Sequence, residues 1–211
     1  MKKAVKCLIS AGPTREWLDP VRFISNPSSG KMGYALAKAA VESGMEVILV
    51  SGPVSLPCPE NVERKMVNTA REMNEVMKNY FPSANLTIMS AAVCDHRPAS
   101  TDHHKVKKLE VSKNITLVPN PDILEGLGKI KRPGQILVGF AAETERHLEN
   151  GKKKLRQKNL DWIAVNEVAE GKGFESDKNE ITMISSTGQS IFFERGEKLL
   201  LARKILDAVW P

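Results

Sequence analysis

Short apolar segments alternate with segments of helical periodicity along most of this chain, and that alternation is the strongest constraint on its fold. The apolar segments are bounded by polar or turn-forming residues, as buried strands are: "AVKCLIS" (4–10), "EVILVSG" (46–52), "NLTIMSAAV" (85–93), "ITLV" (115–118), "QILVGFAAET" (135–144) and "LDWIAVNEV" (160–168). The segments predicted as helices lie between them: "MGYALAKAAVESG" (32–44), "TAREMNEVMKNYF" (69–81), "DILEGLGKI" (122–130) and "RHLENGKKKLRQKN" (146–159). Strands that alternate with helices in this way predict right-handed crossovers and a mostly parallel sheet.

The predicted fold class is therefore α/β, with a Rossmann-like, mostly parallel sheet and helices on both faces. A β-hairpin follows, in which "EITMIS" (180–185) and "SIFFE" (190–194) flank the turn "STGQ". The amphipathic segment "KLLLARKILDAVW" (198–210) is expected to close the chain as a helix. We expect the polar segment 94–113 to be a loop, and Gly151 to weaken the charged helix in which it lies.

Composition excludes several classes of protein. The 211 residues are 41% hydrophobic and 27% charged, and no apolar run is long enough to cross a bilayer. Three widely spaced cysteines and four histidines show no metal-ligand spacing, which argues against a disulfide framework and a zinc site. The net charge of +6 favours anionic ligands, whereas the 5% aromatic content is low for a nucleic-acid stacking platform. We expect one cytoplasmic domain, residues 1–211, without a membrane or nucleic-acid partner; a non-catalytic anion- or nucleic-acid-binding module is an alternative.

Turns of small residues follow four of the predicted strands. They are Gly12-Pro13-Thr14, Ser90-Ala91-Ala92, Pro119-Asn120-Pro121-Asp122 and Gly139-Phe140-Ala141-Ala142. In open α/β sheets, ligands bind at the carboxyl ends of the strands. These turns are therefore expected to meet in one composite site.

The segment "ISNPSSGKMG" (24–33) is a glycine- and serine-rich turn that leads into a predicted helix. It is not a Walker A loop, because Ser25 stands where the first glycine belongs and Met32 cannot hold magnesium through a hydroxyl. Nor is it a dinucleotide fingerprint, since its glycines do not follow the first strand directly and Ser51 replaces the acidic residue after the second. A nicotinamide-dependent oxidoreductase is thus the disfavoured enzyme alternative. The amides at the helix start favour an anion, unless a serine side chain caps them.

Six motifs in this order resemble phosphopantothenoylcysteine synthetase of the bacterial type: "SAGPTREWLDPVRFISNPSSGKMG", "SAAVCDHRP", "KVKK", "PNPDIL", "GFAAET" and "KKKLRQKNLDWIAVN". The resemblance implies a ligase that joins 4′-phosphopantothenate to L-cysteine in coenzyme A biosynthesis. It implies that CTP is converted to CMP and pyrophosphate through an acyl-cytidylate, with Mg²⁺ held mainly by the triphosphate and water. It also implies a homodimer with the substrate pocket at the interface. We expect a free-standing module, with a separate phosphopantothenoylcysteine decarboxylase as a potential partner.

The resemblance implies three catalytic residues. Asn26 matches the family's essential asparagine, whose amide is expected to hydrogen-bond the reacting acyl group. Arg22 is expected to clamp an anionic substrate. Lys105 matches the lysine of a flap, about residues 96–113, that closes over the intermediate and excludes water.

The resemblance also implies two sets of binding residues and no protein metal ligand. The residues expected to bind the nucleotide are Met89, Ser90, Ala91, Asp95, Lys105, Pro121, Asp122, Ile123, Leu124, Phe140, Lys154 and Lys158. The residues expected to bind the substrate or its phosphate are Gly12, Ser28, Ser29, Gly30, Lys31, Ala91 and Ala92. Phe140 is expected to pack against cytosine. Lys154 and Lys158, four residues apart on one helix face, are expected to converge on the triphosphate.

Overall fold

The computed structural model describes residues 4–107, 114–143, 147–167 and 177–210 of the chain. The strands, in chain order, are β1 (Lys6–Ala11), β2 (Arg15–Trp17), β3 (Phe23–Ser25), β4 (Glu46–Ser51), β5 (Val62–Met66), β6 (Leu86–Met89), β7 (His96–Pro98), β8 (Leu117–Pro119), β9 (Ile136–Glu143), β10 (Trp162–Glu167), β11 (Lys178–Ser185) and β12 (Ser190–Glu197). The α-helices are α1 (Lys31–Glu42), α2 (Ala70–Tyr80), α3 (Ile123–Ile130), α4 (His147–Gln157) and α5 (Lys198–Val209).

The central sheet, within the described ranges, has eight strands in the order β12-β11-β10-β9-β6-β1-β4-β5. The strands from β10 to β5 in this order are parallel, and β11 and β12 add an antiparallel edge. The chain runs from β1 outward through β4 to β5, then returns to β6 on the other side of β1. The switch point next to β1 is where proteins of this architecture bind ligands. The predicted fold class, including the terminal hairpin and helix, is confirmed.

Helices cover both faces of the sheet, as predicted. On one face, α1 and α5 pack against the sheet and bury Leu36 and Leu201. On the other face, α2, α3 and α4 cover a second apolar cluster that includes Met73, Leu127 and Leu155. The carboxyl ends of the parallel strands lie between these two layers of helices, where the turns are held by a rigid scaffold.

Some strands differ from the expectation. β7 and β8 pair antiparallel outside the central sheet, as do β2 and β3. The strand predicted at 115–118 therefore exists in part, as β8, which lies outside the central sheet, and the predicted loop at 94–113 contains β7. The apolar pattern does not predict β5, because an edge strand has little apolar surface to bury and only Val62 and Met66 are apolar in it. Residues 108–113 of the predicted flap lie outside the described residues.

Candidate active site

Two of the predicted turns are held together at the carboxyl ends of β1 and β6. The Ser90 hydroxyl donates to the carbonyl of Ser10 at 2.6 Å, and the amide of Ala91 donates to the Ser10 hydroxyl at 3.2 Å. The amide of Ala92 donates to the carbonyl of Gly12 at 2.9 Å. The turn after β6 is therefore fixed against the turn after β1, and Gly12 acts here through its backbone.

The "ISNPSSGKMG" segment brings the start of α1 to the same place. Gly30 is the N-cap residue, with a left-handed φ of 73° that favours glycine. Because glycine has no side chain with which to cap the first amides, the alternative of a serine N-cap is wrong. Gly33 lies where α1 meets β1, and a Cβ there would be 2.4 Å from the Ala11 Cβ and 2.8 Å from the Ser90 Oγ. Any other residue at position 33 would hold the start of α1 further from the sheet.

These turns and the helix start enclose a space that we name the first cavity. It is lined by Asn26 and by every predicted substrate-binding residue other than Gly12: Ser28, Ser29, Gly30, Lys31, Ala91 and Ala92. Ser90, predicted to contact the nucleotide, also lines this cavity. The turn after β6 therefore meets Phe140 and Ala141 here, as expected. The prediction that residues 139–142 form a turn is wrong, because these residues lie within β9, which extends to Glu143.

Asn26 is fixed by the turn after β6. Its Nδ2 donates to the carbonyl of Ala92 at 3.3 Å and to the carbonyl of Val93 at 3.0 Å. An amide nitrogen has two hydrogens, so both are directed at protein carbonyls. Within the described residues no hydrogen bond to Oδ1 is found. In this arrangement Asn26 presents an acceptor, rather than a donor, to a ligand.

A second cavity lies beside the first, toward α3 and α4. It contains most of the predicted nucleotide-binding residues: Met89, Ala91, Asp95, Pro121, Asp122, Ile123, Leu124, Phe140, Lys154 and Lys158. Although β8 is outside the central sheet, the turn that follows it reaches this cavity through Asn120. Lys154 of α4 and Lys158, which directly follows the end of α4, line the same cavity, as their spacing predicts.

The two cavities share a wall formed by Ala91, Val93 and Phe140. The Ala91 side chain is small, so ligands in the two cavities can approach one another over it. Asn26 lies at the same wall because its amide contacts the carbonyl of Val93. This is the one place in the described structure where the two predicted sets of binding residues meet.

Asp122 limits what the start of α3 can offer to an anion. Its carboxylate accepts the amide of Glu125 at 2.9 Å, as an N-cap, and forms an ion pair with Lys158 at 2.7 Å. Burial is the largest single influence on Asp122 and opposes its ionisation. The hydrogen bonds from Lys158 and from the Glu125 amide, together with the nearby lysine charges, nevertheless lower the pKa of the carboxyl. A phosphate that binds Lys158 must therefore compete with Asp122.

Two predicted catalytic residues line neither cavity. The Arg22 guanidinium pairs with Asp19 through Nε, at 2.9 Å, and through Nη2. Asp19 is buried, and this hydrogen bond holds the pKa of its carboxyl well below the ordinary value, against the effect of burial. Lys105 is exposed in the segment that precedes the undescribed part of the flap. The roles expected of Arg22 and Lys105 remain predictions.

Three polar residues of the first cavity are not predicted by the sequence: Asn166 of β10, Asn179 of β11 and Lys198 of α5. Asn166 lies near the carboxyl end of β10, where ligands bind in this kind of sheet, so it could have been predicted from the sequence. Lys198 could not be found in this way, because nothing in the sequence shows that this lysine is only 7% exposed. Burial, followed by the proximity of Lys31, lowers the pKa of Lys198.

The fold and the joined cavities define an α/β ligand-binding protein whose site lies at the topological switch point of a mostly parallel sheet. No helix in the described ranges is long and apolar enough to span a bilayer. The chain belongs to the family of the DNA/pantothenate metabolism flavoprotein C-terminal domain, whose model matches residues 2–211.

Known proteins support this assignment. The chain is 45% identical over 205 residues to coenzyme A biosynthesis bifunctional protein CoaBC of Vibrio vulnificus (strain CMCP6), covering 96% of this chain and 51% of that protein. It is 40% identical to the crystal structure of the C-terminal domain of a CoaBC protein, with a TM-score of 0.83 and coverage of 98% and 94% of the two chains. A Cab2 mutant in complex with phosphopantothenate-cysteine shares the fold, at 18% identity, a TM-score of 0.79 and coverage of 97% and 85%. The chain spans about half the length of the curated relatives it matches.

Proposed function

We propose that this chain is a phosphopantothenate–cysteine ligase that uses CTP to join 4′-phosphopantothenate and L-cysteine. Membership of the family supports the proposal, as do relatives at 44–46% identity that are named for coenzyme A biosynthesis. One observation carries it: two cavities share a wall at Ala91, Val93 and Phe140, with Asn26 beside them. A reaction that transfers a nucleotidyl group to a second substrate needs two ligands held side by side in this way.

The proposed chemistry has two steps. The carboxylate of phosphopantothenate, in the first cavity, attacks the α-phosphate of CTP in the second, and pyrophosphate leaves. Lys154 and Lys158 line the second cavity and supply positive charge to the phosphates. The cysteine amine then attacks the acyl carbon, an amide forms, and CMP leaves with release of a proton. The small side chain of Ala91 permits the close approach that both steps require.

Asn26 takes a role in the second step that differs from the one expected. Because its amide hydrogens are directed at Ala92 and Val93, it is not arranged to donate to the acyl group. Its Oδ1 is available to accept an N–H of the attacking amine. Such a hydrogen bond orients the nitrogen lone pair toward the acyl carbon, which is a positioning effect.

The remaining elements of the proposal depend on groups around the second cavity. Asp95 lines it and carries a carboxylate, an oxygen ligand that suits Mg²⁺, so the lining fits an ion held mainly by the triphosphate and water. Bound there, Mg²⁺ would neutralise developing charge on the phosphates. Closure of the flap would bring Lys105 to the intermediate. Arg22 pairs with Asp19 through Nε and Nη2 and its side chain is 40% exposed, so a substrate would bind the part of the guanidinium that faces away from Asp19.

The test is a product assay by mass spectrometry. Purified protein is incubated with 4′-phosphopantothenate, cysteine and Mg²⁺, with CTP and ATP in separate reactions. We expect phosphopantothenoylcysteine and an equal amount of CMP in the CTP reaction. Product only with ATP would contradict the assignment of Phe140 to a cytosine pocket. No product in either reaction, from folded protein, would refute the proposed function.

Asn26→Asp tests the role of the amide. The carboxylate cannot donate to the carbonyls of Ala92 and Val93, so the side chain loses its fixed orientation. Loss of one well-placed hydrogen-bonding group at a reacting centre costs about 10²–10³-fold in rate. We expect the acyl-cytidylate and pyrophosphate still to form, while the amide product appears about 10²-fold or more slowly. Asn61→Asp, at an exposed position away from both cavities, is the matched control. Product formation at the wild-type rate by Asn26→Asp would contradict the assigned role.

A further inference from the structure

A line of hydrogen bonds connects the edge strand β5 to the carboxyl end of β4. The Arg64 guanidinium donates to the Tyr34 hydroxyl at 3.2 Å, and the hydroxyls of Tyr34 and Ser51 are 3.0 Å apart. The Ser51 hydroxyl donates to the carbonyl of Gly52 at 2.8 Å. Since a guanidinium only donates and the Ser51 hydrogen is directed at Gly52, Tyr34 donates to Ser51. We call these four hydrogen-bonded groups the Arg64 network.

The middle of the Arg64 network is buried. Tyr34 lies on α1 and Ser51 ends β4, and both side chains are inaccessible to solvent or nearly so. Ser51 also stands where a dinucleotide-binding fold carries its acidic ribose ligand. Its hydroxyl is engaged within the protein instead, at both its donor and its acceptor side. A buried polar network whose members are satisfied makes the surrounding structure rigid.

The Arg64 network fixes the loop at residues 52–61, which connects β4 to β5 without a helix or strand of its own. Arg64 holds the middle of this loop directly, because its Nη1 also donates to the carbonyl of Leu56 at 3.1 Å. The first residue of the loop is held at both ends of its peptide unit: the Gly52 amide donates to the carbonyl of Ala11 at 2.9 Å, and its carbonyl accepts from the network. Arg64 therefore restrains the loop at two points.

Val54 carries this restraint from the loop to the candidate site. A Cβ added at Gly12 or at Gly30 would lie 3.0 Å from the Val54 Cγ1, so Val54 packs against both glycines. Gly30 is the N-cap of α1 and lines the first cavity, and Gly12 belongs to the turn after β1. Val54 thus holds the start of α1 against that turn.

We propose that Arg64 is a positioning residue, which sets the place of the α1 start at the first cavity through Tyr34 and the loop at 52–61. Arg64 lines neither of the two cavities, so it acts through other residues. That this position matters for ligation of 4′-phosphopantothenate rests on the proposed function. That Arg64 sets the position of the helix start rests on the contacts alone.

Arg64→Met is the principal test, because it removes the donors and keeps an unbranched apolar side chain. Release of the loop lets Val54 and the α1 start shift, and a misplacement of about 1 Å at an active site can cost about 10²-fold in rate. We expect kcat/KM for 4′-phosphopantothenate to fall by roughly 10- to 100-fold, with a raised KM for that substrate. KM for CTP should stay at the wild-type value, since the start of α1 does not line the second cavity. A loss of folded protein alone would change neither KM.

Lys65→Met is the matched control. Successive side chains of a strand point to opposite faces, and Lys65 contacts Glu63 and the Tyr80 ring rather than α1. We expect this variant to have wild-type kinetics. Arg64→Lys keeps a cationic donor and should recover part of the activity that Arg64→Met loses.

Tyr34→Phe interrupts the Arg64 network but leaves the hydrogen bond from Arg64 to Leu56. Its effect should therefore be smaller than that of Arg64→Met. Because both changes act on the same line of hydrogen bonds, the double variant should be no less active than Arg64→Met alone. Thermal unfolding verifies that each variant is folded. Wild-type kinetics from folded Arg64→Met, or an equal rise in KM for both substrates, would overturn the proposal.

Amide hydrogen exchange measured by NMR separates this proposal from the proposed function. The Tyr34 amide, which donates to the Gly30 carbonyl at 3.1 Å, reports on the start of α1, and the Gly126 amide, which donates to the Asp122 carbonyl at 2.9 Å, reports on the start of α3. We expect Arg64→Met to speed exchange at Tyr34 and leave it unchanged at Gly126. If the wild type makes no product, the proposed function is refuted, and this exchange result would still support the role of Arg64. An equal change at both amides, or none, would overturn that role whatever the assay shows.

Discussion

Gly33→Ala is expected to separate α1 from the sheet, and its cost can be worked out from the structure. The added Cβ would lie 2.4 Å from the Ala11 Cβ and 3.0 Å from the Ala11 Cα. Carbon atoms in contact are about 3.5–4.0 Å apart, so α1 must retreat by about 1 Å. Overpacking of this kind costs about 1–3 kcal/mol, and the better helix propensity of alanine offsets up to about 1 kcal/mol. A net loss of about 1–2 kcal/mol lowers the Tm by roughly 2–8 °C in a protein of this size.

Activity should fall by more than this stability loss explains. Gly33 lines the first cavity, and its α1 backbone is adjacent to the Ser90 hydroxyl. A misplacement of about 1 Å at an active site can cost about 10²-fold in rate. The assay measures Tm by circular dichroism and product formation under the same buffer conditions. Gly126→Ala is the matched control, since it is also a helical glycine but its Cβ would meet only the Lys78 Cε, at 3.7 Å. We expect that control to gain up to about 1 kcal/mol and to keep its activity. If Gly33→Ala were as stable and active as Gly126→Ala, the argument from close packing would be refuted.

Two further predictions concern stability. Gly151→Ala should lower the Tm, because the added Cβ would lie 2.6 Å from the Val165 Cγ2. The overpacking cost of about 1–3 kcal/mol exceeds the gain in helix propensity. A raised Tm in thermal unfolding would contradict this prediction. An unfolded aspartate takes up a proton near pH 4, whereas Asp19 in the folded protein stays charged to lower pH because its pKa is lowered. The stability that comes from its pairing with Arg22 is therefore present above about pH 4 and is lost as the pH falls further. Asp19→Asn should therefore have a lower Tm than the wild type at pH 7, and a difference that stays constant down to pH 3 would count against the pairing.

The central strands could be predicted because burial on both sides gives a continuous apolar run. Strand β1 shows this: Leu8 packs toward one layer of helices and Ile9 toward the other, so the run at residues 7–9 is continuously apolar. Strand β5 could not be predicted, since it lies at the edge of the sheet and is mostly charged. Gly151 shows a related limit of prediction. Helix propensity alone marks this glycine as a weak point of α4, but its packing against Val165 leaves no room for a larger side chain.

The site could be predicted where it follows from strand ends and motif order. Asn26, Ala91 and Phe140 come together as expected. Side-chain contacts across the chain could not be predicted, because they depend on which elements become neighbours. The amide of Asn26 is expected to serve the substrate, but its hydrogens are directed at the turn after β6. Lys198 can be recognised as a cavity residue only from the structure, which shows that this lysine is buried.

Two kinds of residue therefore determine the site, and they should respond differently to substitution. Ala11 and Gly33 bring the helix start, the turns and the shared wall together through close backbone contact, so changes there affect the core and the cavity at once. Asn26 and Lys198 line the cavity with polar side chains, and neither contributes an apolar side chain to the core clusters. Substitutions of the first kind should lower Tm and activity together. Substitutions of the second kind should lower activity or ligand affinity while the Tm changes little. A set of variants in which the two quantities fell together at all four positions would show that the cavity is only a by-product of packing.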